Sequence, residues 1–220
     1  MKVLNVENAK ATWLFDLRLL NPRGVTITSL MAGIAERYKF AKVPANPLDV
    51  KEGGLSFVEG VFRNSKGIEL GVSITAYGDG LVADTFSNTD NTTEFLRDLA
   101  QFAAELGFPF PDEKEMGKSF TSILGVFCDV PLLALNPKLE FIAKLVESKL
   151  VTMDGKPRTI EFAGISLFSE DVSQNKAPAV FKFERKFGQP FSANRYYAQA
   201  PLETDEHVVV LEEFEKILKT

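Results

Sequence analysis

From Ile68 to Tyr77 the chain alternates strictly. Ile68, Leu70, Val72, Ile74 and Ala76 fall on one side, and Glu69, Gly71, Ser73, Thr75 and Tyr77 on the other. A period of two predicts a half-buried strand. Leu55–Arg63 and Leu81–Phe86 flank it, joined through Asn64-Ser65-Lys66-Gly67 and Gly78-Asp79-Gly80. Both linkers have turn chemistry, so three successive antiparallel strands are expected. Upstream, Thr12–Leu20 is rich in β-formers and predicts a strand. Asn21-Pro22 carries a helix-start signal, and Ile27, Leu30, Met31, Ile34, Ala35 and Tyr38 then recur at helical spacing. Lys42–Gly54, with its prolines and glycine pair, predicts a loop. Asn91–Gly107 predicts an amphipathic helix with Phe95, Leu96, Leu99, Phe102, Ala103 and Leu106 inward. Asn91 followed by Glu94 resembles a capping box, and Gly107 suits the C-terminal cap.

The second half repeats this order. Ser122–Leu135 predicts a strand broken at Pro131, and an Asn-Pro pair returns 115 residues on (Asn21 to Asn136). Leu139, Ile142, Ala143, Val146 and Leu150 predict the matching helix, and residues 153–157 a turn. Strands are expected at Thr159–Phe168, Ala179–Phe187 and Ser192–Gln199. A last helix from Thr204 or Asp205 carries Val208, Val209, Leu211, Phe214, Ile217 and Leu218. Its start lies 113 residues after the earlier one (Asn91 to Thr204). The pattern predicts two tandem copies of a strand–helix–three-strand–helix unit, at 1–107 and 119–220, joined by a linker at 108–118. Short turns between strands make each an antiparallel sheet with helices on one face, an α+β fold with a pseudo-two-fold. This order of elements resembles the duplicated TATA-binding-protein saddle, and also the duplicated strand–helix–strand–strand modules of small-molecule-binding domains. No motif of either is matched residue by residue, so the resemblance carries over no functional residue.

Composition narrows the function classes. The 25 basic and 30 acidic residues leave a net charge of −5, which argues against a polyanion binder. Charge is shared evenly between the halves, so neither is a specialised charged module. No apolar run approaches the ~18 residues of a spanning helix, and the N-terminus lacks a leader pattern. The expectation is a cytoplasmic protein without a membrane partner. The single Cys128 excludes an intrachain disulfide. There are 19 Phe against one Trp and four Tyr, so most aromatic content has no polar handle. Such residues serve a dry core or an apolar cavity that takes a small apolar ligand.

Candidate chemistry is sparse. Cys128 lies in an apolar run and His207 in the first turn of the last helix, with no partner motif for a metal or a nucleophile. Asp84–Asn91 has oxygen donors but lacks the central glycine and closing glutamate of a calcium loop, and predicts a capping turn. No cofactor and no catalytic activity are therefore expected. What remains is the open face of the sheet, where Ser73, Thr75 and Tyr77 alternate outward. In the second unit Phe181, Phe183 and Phe187 point one way with Arg185, while Val180, Lys182, Glu184 and Lys186 point the other. Lys182, Arg185, Lys186 and Arg195, beside Phe191, Tyr196 and Tyr197, are a local hint of a nucleic-acid saddle. The first unit has no basic counterpart. The expectation is a protein partner or self-association as a homo-oligomer, met through Ser73, Thr75, Tyr77, Lys182, Lys186 and Arg195.

Overall fold

Two runs of the same elements build an α+β fold. The computed structural model describes residues 1–21, 24, 26–44, 54–170 and 178–220. The chain divides into an N-terminal unit, residues 6–122 with 201–204, and a C-terminal unit, residues 123–200 and 205–220 with 1–5. The first run is β1 (Lys2–Leu14), α1 (Ile27–Tyr38), β2 (Leu55–Arg63), β3 (Glu69–Tyr77), β4 (Gly80–Thr85) and α2 (Thr89–Glu105). The second is β5 (Gly117–Phe127), α3 (Leu139–Asp154), β6 (Gly164–Leu167), β7 (Phe181–Arg185), β8 (Arg195–Ala200) and α4 (Thr204–Leu218). In the N-terminal unit the strands lie in the order β2-β3-β4-β1, and in the C-terminal unit β6-β7-β8-β5. The duplication therefore extends from chain order to sheet order.

The repeat spacing is tighter than the sequence pattern suggests. Short 3₁₀ turns at Leu17–Leu20 and Leu132–Leu135, strands β4 and β8, and the starts of α2 and α4 are each 115 residues apart. The earlier discrepancy came from placing the α2 cap at Asn91. Asn88 is the cap, its side chain accepting the Asn91 N–H at 2.9 Å. Glu94 makes no capping box, because its carboxylate accepts the Ser65 N–H instead. The second Asn-Pro pair leads directly into α3, where the Leu139 N–H donates to the Asn136 carbonyl at 3.1 Å, whereas α1 begins only at Ile27. Asn21 and Asn136 close the two 3₁₀ turns, and Pro22 lies outside the described residues. The loop expected at 42–54 falls partly outside them as well.

Three further boundaries differ. The first strand begins at Lys2 and ends at Leu14, ten residues ahead of the β-rich stretch. Its pattern is small and polar, with Ala9, Ala11 and Trp13 buried and Lys10 and Thr12 between them, so propensity conceals the alternation. The second-half strands are shorter than their apolar runs, and residues 191–193 form a 3₁₀ turn. Helix α3 continues through Met153 and Asp154 to a left-handed cap at Gly155 (φ 73°). Glycine is the residue for which that conformation is free of strain.

Packing in the N-terminal unit follows from alternation. Ala11, Trp13, Phe57, Phe62, Val72, Ile74, Leu81 and Ala83 face Leu30, Ile34 and Tyr38 of α1 and Phe95, Leu96, Leu99 and Ala103 of α2. Tyr38 and Phe62 meet the Phe95 ring at centroid distances of 5.1 and 5.5 Å. The Tyr38 hydroxyl donates to Asp98 at 2.6 Å, giving the ring its polar handle.

The C-terminal unit packs differently. Its core comprises Leu124, Val126, Cys128, Leu132, Phe183, Tyr196, Ala198, Leu211, Phe214 and Leu218. Helix α3 buries no residue, and Ile142 and Val146 are 51% and 41% exposed where the pattern predicts core. The cause is the sheet beneath. β6 has four residues where β2 has nine, so little surface is left to cover. Phe187, expected on the helix side, is fully exposed because β7 ends at Arg185. Val209 and Ile217 also point to solvent; the buried row of α4 is Thr204, His207, Leu211, Phe214 and Leu218.

Residues 201–204 belong to the N-terminal unit through a reciprocal bond. The Thr89 N–H donates to Thr204 Oγ1 at 3.0 Å, and the Thr204 N–H donates to Thr89 Oγ1 at 2.9 Å. Each residue is the first of its helix, so each satisfies a donor the helix cannot. Thr89→Ala and Thr204→Ala should each cost about 1 kcal/mol, and the double variant less than their sum by about 0.5–1 kcal/mol. Urea unfolding of the four proteins measures this, and strict additivity would dissolve the pair.

Candidate binding face

The face opposite the helices is built by strand register. In the N-terminal unit Lys10 lies across from Asp84, and Asp84 across from Ser73. The next row is Thr12, Val82, Thr75 and Ser56. Ser56 and Thr75 share a hydroxyl hydrogen bond of 2.9 Å, and Ser73 accepts the Glu59 N–H at 3.4 Å. Asn8 donates to Asp84 at 3.4 Å, and Arg63 pairs with Glu69 at 2.8 Å. Tyr77, opposite Gly80, is exposed at the end of β3. This surface is mainly polar, with Lys10 and Arg63 beside the carboxylates Asp84 and Glu69, and it also carries Val82 and the exposed Val61.

In the C-terminal unit the rows are Ser166–Lys182–Gln199 and Gly164–Glu184–Tyr197. The ladder continues where the Lys186 N–H donates to the Arg195 carbonyl at 2.9 Å. Gln199 donates to the Val180 carbonyl at 3.0 Å, so the row is held in register. Lys182, Lys186 and Arg195 thus share one face with Glu184 and Tyr197.

The repeat shows what the candidate residues have in common. Asp84 and Gln199 are equivalent, and they face Ser73 and Lys182. Ser73 therefore corresponds to Lys182, Thr75 to Glu184 and Tyr77 to Lys186. Two positions of each chosen set coincide, Ser73 with Lys182 and Tyr77 with Lys186, neutral in one copy and charged in the other, while Arg195 is the counterpart of Gly80. Lys10, Thr12 and Asp84 belong to the first patch but not to the set expected from sequence, because the expected first strand begins after Lys10 and Asp84 is assigned to the capping turn. Alternation of Ala9, Ala11 and Trp13 with polar residues was the available signal.

Arg185 and Tyr196 leave the basic cluster. Both lie on the helix side, and the Arg185 side chain is 9% exposed. It pairs with Glu161, donates to the Phe191 carbonyl at 2.9 Å and stacks over the Phe191 and Tyr196 rings at 4.9 and 5.4 Å. A guanidinium so engaged has no reach toward a ligand on the opposite face.

The remaining polar candidates are buried or hydrogen-bonded within the chain. Cys128 is buried, its N–H donating to the Asn194 carbonyl at 3.2 Å. His207 is buried beside the Phe181 ring, and burial pushes its pKa down to about 4, so the imidazole is neutral. Thr85 and Asn88 spend their side chains on the N–H groups of Ser87 and Asn91, as the capping reading of 84–91 requires. Among the described residues no three His, Cys, Asp or Glu side chains converge as metal ligands. No helix among them is long and apolar enough to cross a membrane.

No family model matches the chain. No curated protein matches it either. Among solved structures the TBP of Methanococcus jannaschii is similar over 99% of this chain and 97% of that chain, at 13% identity and a TM-score of 0.48.

Proposed function

We propose that the chain is a non-enzymatic protein-binding module that presents its open sheet faces to an acidic protein surface. The inward turn of Arg185 with Tyr196 carries the reading. It leaves Lys182, Lys186 and Arg195 against Glu184 on one patch, and a mainly polar hydroxyl row on the other. Three cations with one carboxylate suit a few carboxylates on a partner; the hydroxyls suit hydrogen bonding to polar side chains. Phosphate binders need more: contact with about three phosphates gives a salt slope near −3, and a net charge of −5 opposes approach of a polyanion.

Labelled single- and double-stranded oligonucleotides at 50 and 200 mM salt should bind no tighter than the ~10⁻⁴ to 10⁻⁶ M non-specific range. A photo-crosslinker placed at Ser73 or Gln199 should capture an acidic protein partner in the native host. The triple change Lys182→Glu, Lys186→Glu and Arg195→Glu should abolish that capture. Nanomolar oligonucleotide affinity, lost on changing the same three residues to Ala, would replace this reading with the nucleic-acid one.

A further inference from the structure

The helix side of the N-terminal unit holds an apolar cavity of about 110 Å³ between the sheet, α1 and α2. Phe57, Phe108 and Phe110 form part of its wall, with Leu81, Leu99 and Ala103 among the aliphatic residues. Asn21 is the one polar residue among those described that line it. A space lined this way offers a water molecule almost no hydrogen-bond partners, so it stays dry. An apolar cavity of ~150 Å³ is known to accept benzene in place of water.

The repeat supplies an internal control for why the space exists here. Leu81, Leu99 and Ala103 correspond, 115 residues on, to Tyr196, Phe214 and Leu218. All three of those side chains are larger, and all three are buried in the C-terminal unit. The same fold thus tolerates bulk at these positions. The N-terminal unit carries the smaller residue at each.

We infer that this cavity is a binding site for a small hydrocarbon group of about six carbons, either a single ring or the end of a short acyl chain. Recognition is by shape and dryness. A polar head, where the ligand has one, is left at the lip near Asn21. The site lies on the helix side and is independent of the open-face reading.

Trp13, the single tryptophan, reports on it. Its ring meets the cavity-wall residue Phe110 edge-on at 6.3 Å, so a molecule that shifts Phe110 changes the Trp13 surroundings. The full chain is titrated with benzene and, separately, with hexanoate, reading Trp13 emission and melting temperature. At about ten times Kd, a rise of roughly 3–6 °C is expected with a saturable emission change. Ala103→Leu and Leu99→Phe, each installing the residue the second copy already carries, should remove both responses while melting no lower than the parent. Response to benzene alone identifies a ring, to hexanoate alone an acyl chain, and to both the shared hydrocarbon chemistry. Silence toward both probes, or an undiminished response in the two filled variants, overturns the site.

Discussion

Lowering the pH from 7 to 4 is expected to remove about 3 kcal/mol of unfolding free energy through His207 alone. Burial holds its pKa near 4 against the ordinary 6.5, because the interior disfavours the charged imidazolium. Below pH 6.5 the unfolded chain takes up a proton that the native protein refuses until about pH 4. Each unit of pH in that window costs 1.36 kcal/mol, so 2.5 units cost about 3 kcal/mol. Above pH 7 both states are neutral and the contribution is flat. The first copy avoids this dependence. Its equivalent residue, Thr92, is also buried, but its hydroxyl bonds to Thr85 at 2.9 Å and to the Asn88 carbonyl at 3.1 Å. In the second copy Thr85 is replaced by Ala200. Urea unfolding at pH 7, 6, 5 and 4 should show His207→Gln with a shallower pH slope than the parent, whatever its absolute stability. Parallel slopes would mean that the imidazole is solvated.

What could be read from sequence, and what could not, divides along physical lines. Alternation in β3 and the turn residues around it are local properties, and they located the strands and both open-face rows. The start of β1 was hidden because its buried residues are mostly alanines between polar neighbours. Helix α3 failed in the opposite direction. Its stripe is as apolar as that of α1, yet Ile142 and Val146 are exposed because β6 is short, and strand length is not encoded in the helix. Arg185 sits among phenylalanines in a strand, which indicates the inward side. That its charge would be met by Glu161, 24 residues away, depends on tertiary structure. Phenylalanine content likewise predicts a dry core without saying which rings fill it: Phe95 and Phe183 do, whereas Phe86, Phe141, Phe168 and Phe187 face solvent.

Equivalent positions in the two copies should therefore differ sharply in worth, and Phe95 with Val210 is the clearest pair. They are 115 residues apart on α2 and α4. Phe95 is completely buried and Val210 is 38% exposed. Truncating Phe95 to alanine removes ring contacts with Tyr38 and Phe62 and opens a void beneath α1. Tyr38 cannot follow into that space, because its hydroxyl is held by Asp98, on the helix turn after Phe95. A site that cannot collapse keeps its cavity, so Phe95→Ala should cost about 3–5 kcal/mol. Val210→Ala removes side-chain surface already half in water and should cost less than about 1 kcal/mol. Urea titration followed by Trp13 emission, which reports the core that Phe95 belongs to, should show a large fall in midpoint for Phe95→Ala and almost none for Val210→Ala. Equal losses in the two variants would show that both copies bury this position alike, and would overturn the unequal packing of α2 and α4 at it.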